Sequence, residues 1–337
     1  MHNWSVLDYL VFVSDIFSSA GFEMVLVFFI LSGFFIAHSF EKRKWRFAEF
    51  YLNRTLRIYP PYLASLIFSA FALVLVNKIN PDLFTLDLPY ERNQLLQNTY
   101  KAFNGEALGF SLLFNFDKGF IGMNLVYWSL VVEVLFYIIA PIVMRNWFVY
   151  FLMAVIGVLF VHNTSIGFLN SLSTYSIYFA VGIVLFHFRN HQLAEKVSEF
   201  KWSFMALSLI LLLATIVLSV AKYKSLSAFT ASGFSVISII LFIKISVPVN
   251  RISRWLMTLG KFSYSLYLFH VPVLLIIYAL FTRFTNIYNF YSRVYWIAVP
   301  FILVISYIFY LIVEKMSLQL TDILKGKKSL TPFEEAK

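Results

Sequence analysis

Nine apolar runs, each about the length of a membrane span, govern what this chain can fold into. They cover roughly residues 21–40, 58–77, 124–144, 147–162, 172–188, 202–221, 227–247, 263–282 and 294–314. Each holds about 16–21 residues, which a helical rise converts to about 24–32 Å. The shorter runs borrow flanking Trp, Tyr and Arg as interface anchors. The expected fold is therefore all-α, a polytopic transmembrane helical bundle. Composition agrees: 60% of residues are hydrophobic, 13% are charged, and mean hydropathy is +0.78. An average soluble domain is about half apolar and about a quarter charged. A soluble cytosolic enzyme is excluded, because lipid has to be the solvent for most of this surface.

The 337 residues contain no cysteine, so disulfides, Cys-ligated zinc, iron–sulfur clusters and thiol nucleophiles are ruled out. The six histidines are scattered, and no metal is expected. A net charge of +10 does not indicate nucleic acid here. The basic residues lie between the apolar runs, where they orient membrane helices. Lys42, Arg43, Lys44, Arg46, Arg54 and Arg57 face only Glu41 and Glu49 in the connection 41–57, which places it in the cytoplasm. The connection 78–123 has Lys78, Arg92, Lys101 and Lys118 against Asp82, Asp87, Glu91, Glu106 and Asp117, and belongs outside. By alternation 189–201, 248–262 and the tail fall inside; Lys222, Lys224, Arg283 and Arg293 dissent mildly.

Residues 1–20 then start outside, and they are only patchily apolar. They read as an external loop or re-entrant stretch. An odd number of spans with an external start and no signal peptide leads to the expectation of one more helix upstream. No internal repeat is evident, so the inverted-repeat pattern of many transporters is missing.

Three stretches carry chemistry. Arg54 and Arg57, spaced i, i+3, share a helix face just before Ile58-Tyr59-Pro60-Pro61-Tyr62. Their planar forks suit the phosphates of a cytosolic carrier, although ordinary membrane anchoring also places arginines there. Glu133 lies about 12 Å into its run, with Ser129 and Tyr137 on the same face at i, i+4 spacing. An acid at such depth is expensive, and a functional role stands beside that of a polar helix tie. His270, with Ser263 and Tyr267, is a possible base, or it bonds backbone freed by Pro272. Glu23, His38 and Glu314, near span ends, read as structural. His2 is a lone terminal histidine.

Taken in order, five stretches resemble the acyltransferase 3 family of integral-membrane O-acyltransferases. They are Val27 to Ile36 with its Ser-Gly-Phe, Arg54 to Tyr62, Trp128 to Tyr137, Leu259 to Pro272, and Val313-Glu314-Lys315. The resemblance implies ten helices and transfer of an acyl group, usually acetyl, from cytosolic acyl-CoA. It implies as acceptor a hydroxyl of a cell-envelope glycan or lipid-linked sugar, and a bacterial inner membrane as the setting. It also implies a catalytic histidine near the end of a first helix. His2 sits about where that histidine falls, so the chain reads as starting inside that helix.

On this reading residues 1–20 are an external segment or the remnant of a first helix, 21–316 the transmembrane acyltransferase domain, and 317–337 a cytoplasmic tail. His2 is the candidate base and Glu133 its acid partner. Arg54 and Arg57 are the candidate acyl-CoA phosphate ligands. Membrane lipid and a glycan or lipid-linked sugar are the expected partners. Two alternatives stay open: a transporter or flippase for a lipid-linked sugar, and an inactive truncated relative.

Overall fold

In a computed structural model, residues 6–42, 46–114, 123–161, 167–245, 250–288 and 294–324 are described, and all regular structure among them is helical. Each expected span is a helix: Gly21–Lys42, Phe47–Ile79, Tyr127–Arg145, Trp147–Ile156 with a π-turn at Gly157–Val161, Gly167–Phe188, Lys201–Val220, Lys224–Lys244, Ser263–Thr285, and Val294–Phe309 with a π-turn at Tyr310–Glu314. Seven described helices are long and apolar enough to cross a membrane, and Trp147–Phe160 and Leu172–Phe188 are shorter apolar ones. The protein is thus all-α and polytopic. A further helix, Val6–Ser19, precedes the first span. The last span runs on through Lys315–Leu324, with Ser317 and Thr321 buried beyond the boundary expected at 316.

The chain divides into two compact units. One is built from Phe12–Phe50 and Val132–Ser253. Its centre is the contact of Gly21–Lys42 with Gly167–Phe188, which two glycines make possible. A Cβ on Gly33 would stand 2.1 Å from the carbonyl oxygen of Phe179, and a Cβ on Gly182 would stand 2.0 Å from that of Ile30. The two backbones therefore touch, each glycine hydrogen aimed at the other helix's carbonyl. Around this contact Phe136 stacks on Phe179 at 4.4 Å and meets Phe29 edge-on at 5.7 Å. Lys201–Val220 and Lys224–Lys244 form a hairpin tied by Ser208–Ser238 and Thr215–Thr230 hydroxyl pairs, each 2.9 Å. Trp202, Ile210 and Val217 face outward, as lipid contact requires. Glu23 is buried, accepting from Ser227 Oγ at 2.6 Å and Ser219 Oγ at 3.3 Å.

The other unit takes the described parts of Met1–Val11, Tyr51–Val131 and Arg254–Lys337. Here the connection 78–123 is more than a loop. It forms the short helices Asp82–Thr85, Glu91–Lys101 and Gly105–Leu112, and Leu83 and Leu96 pack into a core with Leu73, Val76, Leu275 and Tyr278. Asn104 caps the last short helix, accepting from Ala107 N at 2.8 Å. Asn93 Nδ2 donates to Tyr278 Oη at 3.0 Å, and Tyr62 Oη donates to the Ser111 carbonyl at 2.6 Å. The segment is thus clamped onto the spans Phe47–Ile79 and Ser263–Thr285.

Sidedness is checked without any activity assay, because the chain has no native cysteine. Lys101→Cys, in the connection 78–123, is expected to react with an impermeant maleimide from outside, and Ala48→Cys from the cytoplasm. Reaction of position 101 from the inside alone overturns the orientation.

Candidate functional site

Helix Phe47–Ile79 starts eleven residues before the apolar run it contains, so Arg54 and Arg57 are both helical and their i, i+3 relation is real. Arg54 is half-buried and Arg57 exposed. Pro60 and Pro61 do not end this helix. Each lacks an N–H and so frees the carbonyl four residues earlier. The carbonyl of Leu56, freed by Pro60, accepts a short hydrogen bond from Ser317 Oγ. Tyr264 Oη adds a bond to the Ile58 carbonyl at 3.2 Å. The charge of Arg57 acts on Glu314. That carboxylate accepts from Ser265 N at 3.1 Å and Ser265 Oγ at 2.5 Å. It thereby satisfies an orphan N–H in the first turn of Ser263–Thr285, where the helix dipole favours an anion. Glu314 is placed for this by the π-turn in its own span.

Pro272 acts in the same way. It frees the carbonyl of Leu268, which accepts from Asn124 Nδ2 at 2.8 Å and Ser65 Oγ at 3.1 Å. Ser65 and Ser69 also meet Tyr127 Oη at 2.7 and 3.1 Å. His270 does not serve the backbone freed by the proline. Its Nδ1 lies 2.8 Å from the Tyr267 carbonyl and 3.2 Å from that of Leu266, within its own turn. With carbonyls as partners, Nδ1 is the donor and Nε2 carries the lone pair of the neutral ring.

Glu133 belongs to the other unit and is 7% exposed. Tyr137 Oη donates to Glu133 Oε1 in a short hydrogen bond, so half of the expected hydroxyl face is built. Ser129 turns elsewhere, pairing closely with Tyr267 Oη and bonding the Val126 carbonyl at 3.1 Å. His2 lies outside the described residues. Arg54 and Arg57 are thus brought together on one helix and Glu133 is paired with Tyr137.

A cleft of about 320 Å³ in Glu133's unit is walled by Phe40, Met144 and Phe186. Arg189 lines it, bonded to Glu41 Oε2 and to the Phe186 carbonyl, each at 2.7 Å. The polar cluster Ser65–Ser69–Asn124–Tyr127 was not singled out from the sequence. Its signal was present, since Asn124 and Tyr127 stand at the start of an apolar run with Pro272 downstream to free an acceptor.

The profile of the acyltransferase 3 family, described as an acyltransferase domain, matches residues 1–313. No curated protein and no solved structure matches the chain. The matched stretch contains every candidate residue, from His2 through Arg54, Arg57 and Glu133 to His270. The chain belongs to the acyltransferase 3 family and is a multi-pass membrane acyltransferase.

Proposed function

We propose that this protein moves an acyl group, acetyl above all, from cytosolic acyl-CoA to a hydroxyl of a cell-envelope or exported glycan, in a bacterial inner membrane. The observation that carries the reading is Glu133, a carboxylate buried in an apolar helix and held by Tyr137, inside a chain matched almost throughout by an acyltransferase family. A positioned acid of this kind orients or polarises a proton-transfer partner. His2 takes the acceptor's hydroxyl proton as that oxygen attacks the thioester carbonyl. The C–S bond of the donor breaks as the new C–O ester forms, and the proton passes to the leaving thiolate. Arg54 and Arg57 hold the phosphates of the donor.

The direct test uses washed membranes and radiolabelled acetyl-CoA. Label is expected in base-labile ester on extracted glycan, dependent on the protein. Label equal to that of membranes lacking the protein sinks the reading. A requirement for the protein in moving lipid-linked sugar without acyl-CoA would point to the flippase alternative.

The arginines act on the donor in this scheme. Arg54→Ala or Arg57→Ala is expected to raise the apparent KM for acyl-CoA about tenfold or more, as loss of a charge-assisted hydrogen bond of about 1.5–3 kcal/mol would do. Lysine at either position is expected to rescue poorly, because the fork is lost. An unchanged donor dependence at normal protein level removes both residues from donor binding.

A further inference from the structure

The helix Arg251–Lys261 has no buried residue, yet it is sharply two-faced. At about 100° per residue, Ile252, Trp255, Leu256 and Leu259 share an arc of about 100°, and Arg251, Arg254 and Lys261 share an arc of about 80° on the other side. Met257 alone among the large apolar residues falls off the apolar arc. Ile252 is 69% exposed, Trp255 60% and Leu256 55%. The start of the helix is nonetheless built with care. Asn250 Oδ1 accepts from Ser253 N, and Ser253 Oγ accepts from Asn250 N, both at 2.8 Å, a reciprocal cap. A helix of eleven residues is marginal in water by itself. Something has to cover its apolar face.

Another two-faced helix gives the contrast. In Gln192–Glu199 the apolar Ala194 and Val197 are buried against protein. The helix Arg251–Lys261 has no such cover, and its position supplies another. Phe262 alone separates it from the span Ser263–Thr285, which fixes it at a membrane surface. Residues 245–262 include no acidic residue, and the Lys and Arg bias assigns this side to the cytoplasm, where membrane lipids are anionic. Tryptophan on the apolar arc fits the interfacial zone.

We infer that Arg251–Lys261 lies in the plane of the membrane, with Ile252, Trp255, Leu256 and Leu259 sunk among the acyl chains and Arg251, Arg254 and Lys261 on anionic phospholipid headgroups. The helix carries the chain from one compact unit back to the other, so the lipid surface holds the crossing point.

The test places single cysteines at 252, 253, 256 and 258 of the full chain, labels each with a small fluorophore, and reconstitutes the protein in phosphatidylcholine vesicles with or without phosphatidylglycerol. Positions 252 and 256 are expected to be quenched by nitroxide-bearing lipid about two-fold more than 253 and 258, with the order reversed for aqueous iodide. Phosphatidylglycerol is expected to strengthen lipid quenching at 252, and the triple change Arg251→Gln, Arg254→Gln, Lys261→Gln to cancel that gain. Iodide access at all four positions, or shielding of 252 and 256 from both quenchers, overturns the inference. The first outcome means a helix in water and the second a face covered by protein. Lipid quenching indifferent to phosphatidylglycerol overturns the anionic headgroup contact.

Discussion

Gly33→Ala is expected to lower stability by about 3 kcal/mol or more, at or beyond the upper end of overpacking in a close-packed interior. The added methyl would lie 2.1 Å from Phe179 O and 3.0 Å from Phe179 C. Neither atom can swing aside, because both are backbone. The helices Gly21–Lys42 and Gly167–Phe188 have to separate, and that loosens the Phe29–Phe136–Phe179 stack between them. Gly182→Ala is expected to do the same from the other side, with its methyl 2.0 Å from Ile30 O. Thermal unfolding of the detergent-solubilised protein measures the loss. An Ala variant at either position that melts with the wild type would show that the helices do not meet backbone to backbone.

Replacing the proposed acid and base is expected to remove activity without removing the protein. Glu133→Gln keeps the shape, and its amide oxygen still accepts from Tyr137, so this hydrogen bond within the helix survives while the charge is lost. Acyl transfer is expected to fall at least about tenfold, the low end for a group that positions or polarises a proton-transfer partner. His2→Ala is expected to cost about a hundredfold or more, the usual contribution of a general base, at an unchanged level in the membrane. Radiolabelled acetyl transfer by membranes of matched protein content reads both effects. Near-normal turnover in Glu133→Gln, combined with loss of folded protein in Glu133→Leu, would reduce Glu133 to a helix tie. Full transfer by His2→Ala would move the base to His270, whose Nε2 lone pair is available once Nδ1 is committed to carbonyls.

Spans were the most legible part of the sequence, because lipid imposes one length and one chemistry on every one of them. The short helices of 78–123 were not legible. They are only four to eleven residues long, they lack a sustained period, and the apolar anchors Leu83 and Leu96 are single residues whose burial depends on distant spans. The early start of Phe47–Ile79 was not legible, because its charged residues lie outside the apolar run, although Glu, Arg and Leu are good helix formers. At the candidate site, the shared face of Glu133 and Tyr137 followed from i, i+4 spacing, whereas the partner of Ser129 did not, because Tyr267 lies 138 residues away. The Ser-Gly-Phe signature was visible as a motif. Its physical reason needed Gly182, since one glycine does not tell which backbone it approaches.

The freed carbonyl of Leu268 has a consequence for how the protein is made. Ser65 and Asn124, which bond it, are synthesised long before it, as are Ser69 and Tyr127, which join the same cluster. Their unit cannot close until residues 254–324 have left the ribosome and entered the bilayer, whereas every segment of the other unit exists by Ser253. Nascent chains stalled before and after Leu268 should therefore differ in protease resistance around Ser65 and Asn124. The proline at 272, by withholding one N–H, sets the moment at which the early helices of that unit become locked.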